Sequence, residues 1–139
     1  ALESFVDELA REAVQDPYLY RRALLAHDAR ALAVLDAAAS RAGWGTPLPA
    51  GQGRGIAFAE AFGTLLAQVV ELAVEPGKQI RLRRVVTAAD AGRVYDPGIA
   101  ASNIEGGVVW ALSGALKGEV TFAEGRAVPT NFDGYDVMR

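Results

Sequence analysis

Apolar positions divide the chain into a helical first third and a longer remainder dominated by a two-residue period. Leu2, Phe5, Val6, Leu9 and Ala13 recur at steps of three and four, which places one apolar stripe along an amphipathic helix. Asp16-Pro17 then restarts the helix. The carboxylate accepts from free amides of the next turn, and proline at the first helical position gives up an amide that had no partner, so Tyr18 to Ala26 is predicted helical. Asp28 plays the same part for a third helix, Ala29 to Ala42, ended by Gly43. Gly45 to Gly55 holds two prolines and four glycines and reads as a loop.

Beyond that loop, Ile56, Phe58, Glu60 and Phe62 share one face of a strand, and Ala57, Ala59 and Ala61 the other, a face small enough for close approach. Leu65 to Val74 and Gln79 to Ala88 form two strands around the turn Glu75-Pro76-Gly77-Lys78. Pro97 to Leu116 returns to helix, and Glu119 to Phe122 with Arg126 to Val128 make a short hairpin about Glu124-Gly125. The expected fold is α+β, with N-terminal helices, a mainly antiparallel sheet and a packed helix. The segments are helical over 1–44, loop over 45–55 and α+β over 56–139.

At 139 residues and 51% hydrophobic composition the chain can bury a core of its own. The 14 basic against 17 acidic side chains provide no field for nucleic acid or an anionic membrane. No apolar run reaches the roughly 20 residues that span a bilayer, and Glu3, Asp7 and Glu8 stand where a signal peptide would be basic and then apolar. The absence of cysteine excludes a disulfide framework, a thiolate nucleophile and any iron–sulfur cluster held by these residues alone.

Several residues invite a chemical reading. Gly51-Gln52-Gly53-Arg54-Gly55 has the glycines of a phosphate loop but runs from helix to strand rather than strand to helix, so a plain loop is expected. His27, the sole histidine, has no companion ligands and belongs at the surface of a helix junction. Arg81 and Arg83 alternate along a strand as a solvated face does, with Arg84 and Arg93 nearby. Glu60, Glu71 and Glu105 lie among apolar neighbours and are the carboxylates expected to be partly buried, hydrogen-bonded to backbone amides. In the Pro97 helix, Asn103, Gly107, Ala111 and Gly114 fall on one side with Gly106 beside them, leaving a strip with little side-chain bulk. Glycine inside a helix costs about 1 kcal/mol relative to alanine, so the strip serves either close helix packing or the close approach of a large flat ligand.

In their order and spacing, Asp90, Gly92, Pro97 and Glu105-Gly106-Gly107 resemble the cofactor-binding large subunit of molybdenum hydroxylases, the xanthine dehydrogenase and aldehyde oxidoreductase superfamily, and most closely its isoquinoline 1-oxidoreductase beta type. Phe62-Gly63-Thr64 with Ala67-Gln68-Val69-Val70-Glu71 is similar to the family's strand that crosses near the cofactor. Asn131-Phe132, Tyr135 and Arg139 are similar to its segment after the short hairpin, and Ser4 to Ala10 with Asp16-Pro17, Arg21 and Leu25 to its linker helices. The chain departs from the pattern where Ala91 stands for the usual cysteine, Asp96 for the asparagine before proline, and Asn103 for a glutamine one methylene longer.

The resemblance implies a segment of an oxidoreductase that hydroxylates aldehydes or N-heterocycles with water-derived oxygen. Asn103, Gly106, Gly107, Gln68 and Phe62 would form part of a molybdopterin-binding wall. The expected cofactor is a molybdopterin in the complete enzyme, the cytosine dinucleotide form among its candidates, with none in the isolated chain. The expected partners are the remainder of the large subunit, a separate iron–sulfur subunit and a small aldehyde or N-heterocycle, and apolar cut surfaces are expected either to make the chain self-associate as a homo-oligomer or to require a partner. The family's catalytic glutamate belongs to a Gly-x-Gly-Glu motif that is not among these 139 residues, so no residue here is expected to be catalytic and none to hold a metal. The contrasting expectation is a non-enzymatic interaction module that keeps the fold without the cofactor.

Overall fold

A computed structural model describes residues 2–138. The fold is α+β, and the chain forms two compact units that divide between Gly92 and Arg93. The first holds α1 (Leu2–Glu12), α2 (Pro17–Leu24), α3 (Ala29–Ala42) and an antiparallel sheet ordered β1 (Gln52–Ala61), β2 (Thr64–Glu75), β3 (Gln79–Asp90).

The capping chemistry places the helices. Asp16 Oδ1 accepts from the amides of Tyr18 and Leu19, and Asp28 Oδ1 from those of Arg30 and Ala31. Gly43 closes α3 in the left-handed conformation that its lack of Cβ makes cheap. Two sheet arginines then attend the carbonyl end of α3, Arg84 donating to Arg41 O at 2.7 Å and Arg54 to Gly43 O at 2.8 Å, where cations complement the helix dipole. The packed helix over the sheet is α3. Its buried Ala31, Val34, Leu35, Ala38, Ala39 and Ala42 meet Ile56, Leu65, Ala67 and Val69, and the alanines let helix and sheet approach closely.

Several strand boundaries differ from the periodicity: Phe62, read as part of the first strand, lies in the turn beyond Ala61, and the short hairpin's first strand is Phe122–Ala123 rather than Glu119 to Phe122. β1 starts at Gln52 rather than Ile56, because Gly53 and Gly55 pair with Leu72 and Val70 and so join the ladder. β3 continues past Ala88 to Asp90. It also carries one extra residue, Arg83, between the pairs Leu72↔Leu82 and Glu71↔Arg84. Such a bulge shifts every later pair by one position, and with it the face each side chain takes. Val86 therefore lies opposite Val69 and packs against the core, and Thr87 lies opposite Gln68 on the other face.

The first helix turns out opposite to its pattern. Leu2, Phe5 and Leu9 are exposed, whereas Glu3 and Asp7 face a buried Arg21. Arg21 donates to Glu3 Oε2 at 2.8 Å, Asp7 Oδ1 at 2.6 Å, and the carbonyls of Glu3 and Pro17. A guanidinium taken out of water requires such a set of acceptors, and this requirement outweighs the burial of three apolar side chains on a two-helix contact. Glu3 Oε2 also accepts from Phe58 N at 2.8 Å, so α1 occupies the outer edge of β1 and blunts it against strand addition.

In the second unit, Asp96 caps α4 (Pro97–Leu116) by accepting from Ile99 N, with Pro97 at the first helical position. A hairpin of β4 (Phe122–Ala123) and β5 (Arg126–Ala127) and a 3-10 turn (Phe132–Gly134) follow. The last residues return to the end of α4: Met138 N donates to Ser113 Oγ at 2.9 Å and Lys117 pairs with Asp136 at 2.7 Å. A Cβ on Gly118 would stand 2.9 Å from the Gly114 carbonyl oxygen, a backbone atom that cannot readily give way, as well as 2.7 Å from the Tyr135 hydroxyl, so glycine is required there. Among the described residues no helix is long and apolar enough to cross a membrane.

Asp90 joins the end of β3 to the start of α3. It pairs with Arg30 at 2.9 Å and accepts from Gly92 N at 2.9 Å, the two contacts that hold its carboxyl down at about 2. A carboxyl depressed in the folded state contributes stability that is present above its unfolded value near 4 and is lost as pH falls through 2. Acid unfolding of the chain should therefore steepen between about pH 4 and 2. Asp90→Asn should flatten that interval, and a carboxyl resonance for Asp90 titrating near 4 would contradict the pairing.

Candidate functional site

The residues singled out by resemblance occupy both units. Phe62 and Gln68 belong to the first, Asn103, Gly106 and Gly107 to the second.

Phe62 and Gly63 are the two central residues of the β1–β2 hairpin, both with positive φ, 53° and 79°. Asparagine or glycine ordinarily takes the first of these positions, and a bulky residue there carries backbone strain of order 1–2 kcal/mol. The Phe62 ring is fully exposed and is not buried against this chain. Strain held by an unburied aromatic is the kind of outlier that points to use by something else.

Gln68 is half-buried on the face of the sheet opposite α3. It stands in one ladder row with Ala57 on β1 and Thr87 on β3, and its Nε2 donates to Thr87 Oγ1 at 3.0 Å. With Ser4, Gly55, Ala57, Val70 and Leu72 it lines an open cleft of about 260 Å³. That is below the roughly 300–1,000 Å³ of pockets that enclose a whole ligand, so the cleft can take one ring or one edge of a larger molecule.

On α4, Ala100, Ile104, Val108 and Leu112 form a half-buried stripe, while the neighbouring stripe of Asn103, Gly107, Ala111 and Gly114 is exposed. A Cβ built on Gly106, Gly107 or Gly114 meets nothing within 4 Å. The strip is therefore not filled by helix packing within the described residues. The Asn103 amide makes no hydrogen bond among them either. Val109 and Trp110 extend the exposed apolar surface of this helix.

Other motif residues have local explanations. Asp90 and Gly92 form a turn in which Gly92 takes a φ of 71°, so nothing about residue 91 requires a cysteine. Asp96 caps α4 as an asparagine would. Asn131 Oδ1 accepts from Phe132 N. Asn131, Phe132 and Tyr135 line an open cleft of about 330 Å³ with Val120 and Pro129. Arg139 lies outside the described residues.

The remaining candidates separate cleanly. Gly51 ends the turn and Gln52 to Gly55 already belong to β1, so the plain loop expected here is largely strand, and Arg54 within it pairs with Glu71 at 2.9 Å instead of facing an anion. Glu71 is thus the partly buried glutamate of the three, bonded to a guanidinium rather than to backbone amides, whereas Glu60 and Glu105 are exposed. His27, Arg81, Arg83 and Arg93 are exposed, and the described residues contain no cluster of three metal-ligating side chains. Thr87 is the site residue that periodicity missed. Hairpin register continued from Glu75↔Gln79 would set Val86 opposite Gln68, and only the bulge at Arg83 brings Thr87 there.

Residues 7–139 match the family described as a molybdopterin cofactor-binding domain. The chain is 32% identical to the beta subunit of isoquinoline 1-oxidoreductase from Brevundimonas diminuta, over its whole length and 18% of that relative. It is 33% identical to a nicotinate dehydrogenase subunit from Pseudomonas putida, over 99% of its length and 13% of that relative. It thus spans less than a fifth of either protein. No solved structure matches the chain at a significant level.

Proposed function

The chain belongs to the molybdopterin cofactor-binding domain family, and from that premise we propose that it forms part of the wall against which the cofactor lies in a molybdenum-dependent oxidoreductase. The observation that carries this reading is the open glycine strip of α4 beside an unpaired Asn103 amide. Gly106 and Gly107 give clearance for a flat ring system, and Asn103 supplies a polar contact at its rim. Gln68 and Phe62 are proposed as separate contacts of the sheet unit, an amide and an aromatic face of its own. The cofactor, when bound, supplies two-electron oxidation at carbon.

The substrate class in this reading is an aldehyde or an N-heterocycle. Its basis is the likeness to two proteins named for isoquinoline and nicotinate. These 139 residues contain no cysteine, so an iron–sulfur cluster that takes up the electrons is held elsewhere, in this reading by a separate subunit. The chain by itself neither keeps the cofactor nor turns over substrate. The exposed Leu2, Phe5 and Leu9 of α1, with Val109 and Trp110 of α4, support a seat within the remainder of a large subunit.

Asn103 provides the test. In the complete subunit, Asn103→Ala should lower molybdenum and pterin content by about two- to tenfold, the worth of one hydrogen bond. Asn103→Gln should hold or raise it. Equal content in both variants and the parent would remove Asn103 from the wall.

A further inference from the structure

We infer that Thr87 is the positioning residue for Gln68, holding its amide so that the carbonyl oxygen is presented to an N–H-bearing ring edge. The inference rests on the reading of Gln68 as a cofactor contact and names the chemistry that Gln68 recognises.

A glutamine side chain ends in a donor and an acceptor that point apart, and which of them meets a ligand depends on what holds the other. Here the row Ala57–Gln68–Thr87 runs straight across the sheet. On the β3 side Thr87 Oγ1 takes the Gln68 Nε2 hydrogen at 3.0 Å. On the β1 side Ala57 has only a methyl group, and a Cβ on the neighbouring Gly55 would meet nothing within 4 Å. The amide is thus fixed from one side and unobstructed on the other. Gln68 Oε1 has no partner among the described residues, and Gln68 itself lines the cleft beside Ser4 and Val70.

An acceptor beside Gly55 and Ala57, in a cleft that Val70, Leu72 and the carboxylates of Glu3 and Asp7 also line, selects a planar group with ring or exocyclic N–H donors, such as an aminopyrimidine edge. A group that presents only carbonyls would face Oε1 lone pair to lone pair. The bulge at Arg83 belongs to the same device, because without it Val86 would stand opposite Gln68 and the amide would be free to turn.

Four variants of the complete subunit test this, each read by molybdenum and pterin content, with nitrogen-resolved NMR of the Gln68 amide protons in the 139-residue chain and melting temperature as a check on folding. Thr87→Val keeps shape and strand propensity but removes the hydroxyl. It should lower cofactor content about two- to tenfold and abolish protection of the Gln68 amide protons from exchange. Thr87→Ser should restore both. Gln68→Glu keeps an acceptor for the ligand and can accept from the Thr87 hydroxyl, so it should retain cofactor, whereas Gln68→Met should lose it. Unchanged content in Gln68→Met would overturn the assignment of Gln68 to the wall, and this inference with it. A fall in Gln68→Met with Thr87→Val unchanged would overturn the positioning role alone. Loss of cofactor in Gln68→Glu would show that the ligand takes a donor from Gln68, which reverses the proposed orientation.

Discussion

Glu71→Ala should destabilise the sheet unit by about 3–5 kcal/mol, a large part of the roughly 5–15 kcal/mol that holds an ordinary domain folded. Glu71 and Arg54 are nearly buried, their side chains 13% and 9% exposed, and they meet at 2.9 Å on the sheet face that α3 covers. Removing the carboxylate leaves a guanidinium out of water with only the Gly43 carbonyl and the Thr46 oxygens nearby. Arg54→Ala should cost a similar amount, because it strands the carboxylate and also withdraws a donor from the end of α3. The double variant Arg54→Met/Glu71→Leu should recover much of the loss, since a buried pair replaced by apolar groups of similar volume is commonly neutral. Melting curves of the three proteins decide the matter. A double variant no more stable than either single one would show that the α3 cap, rather than the desolvated charge, sets the cost.

That pair also shows where a one-dimensional reading stops. Asp28, Gly43, Asp96 and Pro97 announce their helix ends because a cap acts within three residues of itself, and the turn about Pro76-Gly77 is equally local. Arg54 and Glu71 are 17 positions apart, and Arg30 and Asp90 are 60 apart, so their partnerships come into existence only with the topology. The stripe on α1 was plain in the chain, but stripes do not say what they face. The acceptors demanded by Arg21 turned Glu3 and Asp7 inward instead. Phe62 is hidden for a different reason: a phenylalanine is a poor signal for a two-residue turn, and resemblance alone marked it. The strip on α4 was legible from its steps of four, four and three, although spacing alone leans toward helix packing over ligand clearance. The empty space around its glycines shows that no packing within the described residues fills it.

Gly107→Leu separates these two uses by sign. No atom lies within 4 Å of a Cβ placed at Gly107, so a larger side chain there should find room within the chain itself. Replacing an interior helical glycine then removes a penalty of about 0.8–1 kcal/mol, and α4 should become more stable. Were the strip a packing surface for the remainder of the subunit, the same change would overfill it there and cost the complete subunit about 1–3 kcal/mol. In the complete subunit the proposed cofactor would pass over this strip, and the four heavy atoms of a leucine side chain would stand where its ring system lies. Molybdenum and pterin should then be lost almost entirely, a larger effect than any single hydrogen-bond deletion in the wall. Gly106→Ala, with one methyl group, should give a partial loss. Thermal unfolding of the 139-residue chain and cofactor analysis of the complete subunit, made on the same substitution, are expected to move in opposite directions. A leucine variant that keeps its full complement of cofactor would remove α4 from the binding wall.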